Sequence, residues 1–173
     1  MSLDLEVKEE ALLTGESKAV CSHVYDLGIQ VSTFNGKDIE QHKIMIMFEL
    51  EKRSKETNRR FLVSKEYTLS SSKRSNLMKD LESWRGKPYA VGDKIDVTKL
   101  IGINANLTIS ENDKGFPLID KILPPTGETL KAEVKSDFMP DWVWKKIQQG
   151  KFENQNHLNP WAEEQKNDDK PPF

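Results

Sequence analysis

The stretch RRFLVSKEYTLSSSKRSNLMKDLESWRG, residues 59 to 86, changes its hydrophobic period partway along, and that change limits the folds open to the chain. Phe61, Val63, Lys65, Tyr67 and Leu69 alternate with Leu62, Ser64, Glu66 and Thr68, the two-residue period of a strand with one buried face. Leu77, Leu81 and Trp84, with Met78 beside them, then recur at helical spacing. Ser70 to Ser72 are the expected N-cap and Gly86 the expected stop. A strand therefore feeds directly into an amphipathic helix.

Other strands flank this unit. Lys18 to Val31 reads as a long strand, with Ala19, Cys21, His23, Tyr25, Leu27, Ile29 and Val31 on one alternation and Gly28 marking a bulge or bend. Ser32 to Gln41 is a hairpin loop centred on Asn35-Gly36. His42 to Leu50 follows as a partner strand, apolar at Ile44, Ile46, Phe48 and Leu50 and mixed at Lys43, Met45, Met47 and Glu49. After the helix and a short helical turn between Asp93 and Leu100, Ile103 to Ser110 and Phe116 to Leu123 supply two more strands, and Pro124-Pro125 ends the series.

Three strands, a helix and two strands is the element order of an OB-fold, a five-stranded barrel that binds oligonucleotides or oligosaccharides. The expected class is thus all-β with one embedded helix: a five-stranded OB-fold barrel followed by a flexible acidic C-terminal tail. The chain divides into an acidic N-terminal arm (1–17), an OB-fold nucleic-acid-binding domain (18–125), a short helical extension containing Phe138 to Ile147 (126–150), and a disordered acidic tail (151–173).

Net charge is -2, which by itself opposes a uniformly basic nucleic-acid binder. The distribution is uneven, however: Gln41 to Tyr89 carries 12 Lys and Arg against 6 Asp and Glu, and the remainder 14 against 22. A basic middle between acidic ends suits a polyanionic ligand. Single-strand binding needs cations for phosphates and aromatic faces for bases. Lys43, Arg59, Arg60, Lys65, Lys73 and Arg74 are the phosphate candidates, and Tyr25, Phe34 and Tyr67 the base-stacking candidates. Phe34 leads, because it adjoins the Asn-Gly turn, whereas Tyr25 and Tyr67 share an alternation with core residues. Trp84 belongs to the packing stripe of the helix.

Enzymatic chemistry finds little support. His23, His42 and His157 lack a metal-ligand spacing, Cys21 is the single cysteine, and no phosphate-cradling glycine loop or nucleophile motif occurs. Glu49 and Glu51 share a strand face, but Lys52 and Arg53 adjoin them and mark a solvated edge. No cofactor and no metal are expected. With no signal-peptide pattern and no long apolar run, the expected location is the cytoplasm, that of the host for a phage-encoded protein.

The C-terminus offers a second feature. Asp168, Asp169, Pro171, Pro172 and Phe173 place acidic charge before an apolar residue with a free carboxylate, a short ligand for a basic pocket with a hydrophobic slot. The ending NDDKPPF resembles the acidic Pro-Phe tip of bacterial single-stranded-DNA-binding proteins, although Lys170 and the second proline depart from the purely acidic pattern. That resemblance implies recruitment of replication or recombination proteins. The stretch SKEYTLSSSKRSNLMKDLESWRGKPY, preceded by YDLGIQ and HKIMIMFEL, is similar to phage and prophage single-stranded-DNA-binding proteins of OB-fold type, over roughly residues 18 to 125. It implies single-stranded-DNA binding in phage replication or recombination; binding with little sequence preference is expected because no groove-reading helix motif occurs, and no membrane partner is expected. RNA binding, a protein-only adaptor acting through the tail, and a homo-oligomer all stay open at the level of sequence.

Overall fold

The computed structural model describes residues 3–5 and 13–152. Strand β1 spans Gly15–Phe34, β2 Lys37–Arg53, β3 Arg60–Thr68, β4 Asn104–Glu111 and β5 Pro117–Leu123. Helix α1, Asn76–Arg85, joins β3 to β4, and helix α2, Asp141–Gln149, follows β5. The strands form one antiparallel sheet in the order β3-β2-β1-β4-β5. Its two edges, β3 and β5, come within 8 Å of each other between Cα atoms, so the sheet curls on itself. The chain is therefore mainly β, with a helix after the third strand.

The inner face is built by the alternations read from sequence. Ile44, Ile46, Phe48 and Leu50 of β2 meet Val63 and Tyr67 of β3 and Ala105, Leu107 and Ile109 of β4, all buried. Helix α1 packs Leu77, Leu81 and Trp84 into this core, with the Trp84 ring 5.3 Å from that of Phe48 and its Nε1–H donating to the Asn104 carbonyl at 2.8 Å. Ser75, not the preceding serine run, caps the helix: its Oγ accepts from the Met78 N–H at 3.1 Å. Ser70 and Ser72 instead accept from backbone N–H groups two residues on, which folds the connection into tight turns. Gly86 closes the helix at φ 81°.

β1 departs from the single alternation expected of it. Register shifts fall between Cys21 and His23 and between Asp26 and Ile29, each adding one residue to β1. Ala19, Cys21 and Val24 point into the inner core, whereas Tyr25 and Leu27 belong to a second cluster on the outer face with Met45 and Met47. Pairing also begins earlier than expected, at Gly15 opposite Ile109, so the end of the presumed arm is strand. Between β1 and β2 it continues to Phe34 opposite Lys37, so the expected loop 32–41 is a two-stranded ribbon turning at Asn35-Gly36, both at positive φ.

The outer cluster is covered by the segment after β5. Residues 131 to 152 run across β1, β2 and β3 as a strap, with Val143 and Ile147 of α2 fully buried on the sheet and Phe138, Met139 and Phe152 packed around them. The extension set apart by the sequence reading thus completes the fold. The strap ends where Lys151 bridges to Ile29 in both directions, at 2.8 and 3.0 Å. Gly28, at φ +66°, makes that docking feasible: a Cβ there would sit 2.8 Å from the Phe152 ring and 2.9 Å from the Lys151 carbonyl oxygen. Gly28→Ala is therefore expected to destabilise the chain by about 1–3 kcal/mol, read as a lower urea midpoint; an unchanged midpoint would show that the strap end yields freely.

Candidate nucleic-acid interface

Phe34 stands at the tip of the β1–β2 ribbon, and Lys43 at its root, where the loop carrying Lys73 and Arg74 begins. The Asn35-Gly36 turn holds Phe34 at the ribbon tip, 64% exposed. Lys37 lies opposite it, and about 20 Å of strand, at the usual rise per residue, leads from Lys37 to Lys43 at the ribbon root. There β3 arrives: Lys43 pairs with Thr68 in the ladder, donates from Nζ to the Thr68 hydroxyl at 2.7 Å, and the Leu69 N–H donates to the His42 carbonyl at 2.7 Å. The serine turns then present Lys73 and Arg74 as exposed residues just before α1. The root is braced by Asp26, whose Oδ1 accepts from the Gly28 N–H at 2.8 Å and meets His42 Nε2 at 2.7 Å.

Arg59 and Arg60 stand at the other end of the same strands. Arg53 pairs with Arg60 in the ladder there, and Arg59 is exposed in the hairpin between β2 and β3. Arg60 is turned onto the strap: its guanidinium donates to the Lys131 carbonyl at 2.6 Å and lies 3.4 Å from carboxylate oxygens of Glu49 and Glu133. Lys65 is committed in a similar way, 2.8 Å from Asp80 on α1. Neither cation is left for phosphate as the sequence reading expected, because each neutralises a carboxylate of the fold.

The two tyrosines are excluded as stacking surfaces. Tyr67 is 2% exposed and donates its hydroxyl to Asp80 at 2.6 Å, so it ties β3 to α1 inside the core. Tyr25 is fully buried beneath the strap and donates its hydroxyl to the Phe138 carbonyl. Burial raises the pKa of both phenols, and Asp80 adds to the effect at Tyr67. Glu49, expected on a solvated edge, is 2% exposed and accepts from the backbone N–H groups of Glu133 and Val134 at 2.8 and 2.9 Å. His23 stacks on Tyr25 at 5.3 Å, and its Nε2 carries a proton donated to the Lys135 carbonyl at 2.9 Å. Burial lowers the His23 pKa below the ordinary value, which keeps the ring neutral under the strap.

Three exposed aromatics escaped the sequence reading, Phe116 in the turn before β5, 62% exposed, and two tryptophans of α2. Trp142 and Trp144 are 47% and 38% exposed on α2, one on each flank of the buried Val143 and Ile147. The signal was present in DWVWKKIQQ, where a single apolar stripe at 143 and 147 leaves both tryptophans off its centre. The proposed partner-binding residues Asp168, Asp169, Pro171, Pro172 and Phe173 lie outside the described residues. Among the described residues no three His, Cys, Asp or Glu side chains gather as a metal site, and no helix is long and apolar enough to cross a membrane. No protein-family model matches the chain, and no curated protein matches it.

Proposed function

We propose that this chain is an OB-fold protein that binds single-stranded DNA with little sequence preference, is not an enzyme, and uses its C-terminal tip to recruit replication or recombination proteins. The strand order β3-β2-β1-β4-β5, with the helix after β3 and the approach of β3 to β5, supports the fold assignment. The observation that carries the function is a solvated ribbon with exposed Phe34 at its tip and Lys43 at its root, where the loop carrying exposed Lys73 and Arg74 begins. Phosphates need such cations, and bases such a ring. An OB-fold commonly takes its ligand across the faces of its second and third strands. Here the strap closes the outer side of those strands, which directs the ligand to the ribbon, its root and the loop before α1.

Anisotropy titrations with labelled oligo-dT, RNA of equal length and a duplex, over a range of salt, test the reading. Oligo-dT is expected to bind best and to weaken with salt. Replacing Lys43, Lys73 and Arg74 together with alanine should lower the magnitude of the logarithmic salt slope by about 2, at ~0.7 per phosphate contact on a single strand. Absence of binding at micromolar protein, or a triple variant with unaltered slope, would refute the proposed function or the proposed contacts respectively.

A further inference from the structure

We infer that Trp142 of α2 stacks on a base of the bound strand, so that the strap continues the nucleic-acid path it displaces from the sheet. This rests on the single-strand-binding reading above. Trp142 and Lys146 are four residues apart and share one flank of the helix. That flank faces β3, because Lys146 Nζ lies 2.6 Å from Glu66. Glu66 is two residues from Thr68, the hydrogen-bonded partner of Lys43 at the ribbon root. One border of α2 thus runs from an exposed indole through Lys146 to the cation already assigned to phosphate, and Lys145 projects exposed beside it. Trp144, about 200° around the helix at 100° per residue, faces away from this path.

The helix under Trp142 is held firmly enough to serve as a platform. Val143 and Ile147 are buried on the sheet, Gln30 donates to the Lys146 carbonyl at 2.7 Å, and Tyr25 bonds the backbone just before the helix. A large ring on a fixed support gives sequence-tolerant stacking, since every base presents a π face. The exposed Lys145 ammonium can hold the backbone of the same strand, whereas Lys146, paired with Glu66, fixes the orientation of this flank. A single-stranded nucleic acid fits this combination of exposed indole and ammonium.

The test compares the full chain with Trp142→Ala, Trp142→Phe and Trp144→Ala, titrated with oligo-dT and with an abasic oligonucleotide of equal length. Trp142→Ala should weaken oligo-dT binding roughly 5- to 150-fold, the range of one base–aromatic stack, while Trp142→Phe keeps most of the affinity and Trp144→Ala leaves it unchanged. On the abasic strand, wild type and Trp142→Ala should bind alike, which a merely structural defect would not produce. Wild-type affinity of Trp142→Ala for oligo-dT, alongside a weakened Lys43/Lys73/Arg74 variant, would overturn this inference and leave the binding function standing. No binding of oligo-dT by the wild type would overturn both.

Discussion

A chain ending at Leu130 is expected to lose cooperative unfolding, whereas a chain ending at Phe152 retains it. The shorter chain lacks Phe138, Met139, Val143, Ile147 and Phe152, and would open the outer face that buries Tyr25, Leu27, Met45 and Met47. Exposing four large side chains at ~1.5–3 kcal/mol each forfeits on the order of 6–12 kcal/mol, comparable to the whole stability of a domain at about 5–15 kcal/mol. It would also uncover the polar groups of Ser22, His23 and Glu49 without the strap backbone that now bonds the last two. Urea unfolding followed by circular dichroism separates the two truncations. A Leu130 chain that unfolds cooperatively and binds oligo-dT more tightly would identify the strap as a removable lid over a strand face. The path through Trp142 would then be wrong.

This outcome bears on why some features were legible in the sequence and others were not. β2 from His42 to Leu50, β3 and β4 each keep one alternation, and their inner-face sets, such as Ala105, Leu107 and Ile109, follow from it. β1 is read correctly only as far as Cys21. The extra residues after Cys21 and after Asp26 shift the side chains that follow, and a bulge leaves no mark on hydrophobicity when both faces are apolar. Tyr25, named as a stacking candidate although it shares an alternation with Cys21, is buried in the outer cluster under the strap, not in the inner core with Cys21. The serine run misled more simply: Ser70, Ser72 and Ser75 are chemically equal caps, and the turn geometry selects the last.

Among the candidate cations, Lys43, Lys73 and Arg74 come together because adjoining strand ends and a short loop bring them there. Lys65 is paired with Asp80 on the following helix, and Arg60 with Glu49 on the neighbouring strand and with the Lys131 carbonyl of the strap, contacts that only the folded arrangement of these elements makes. Phe34 was legible since an Asn-Gly turn fixes a tip whatever lies beneath it. The strap was not, because a short amphipathic helix after a proline pair has no periodicity that names its docking face. Its anchor, Glu49, looked like an ordinary edge carboxylate.

Glu49→Ala should accordingly destabilise the chain by about 3–5 kcal/mol, the cost of breaking a buried charge pair by removing one member. The carboxylate receives two backbone N–H groups of the strap and faces the largely buried Arg60. Alanine leaves all three without it, and an unsatisfied buried donor costs about 1–3 kcal/mol. Adding Arg60→Met should recover part of the loss, because the stranded cation goes with its partner, while the strap N–H groups still lack an acceptor. Equilibrium urea unfolding of both single variants and the double variant measures this coupling. A Glu49→Ala cost under about 1 kcal/mol would mean that the strap is held by its apolar contacts alone. If the cost is large, the carboxylate at 49 sets where the strap crosses the sheet, and with it the position from which α2 presents Trp142. Folded Glu49→Ala protein should then bind oligo-dT more weakly than wild type although residue 49 touches no nucleic acid.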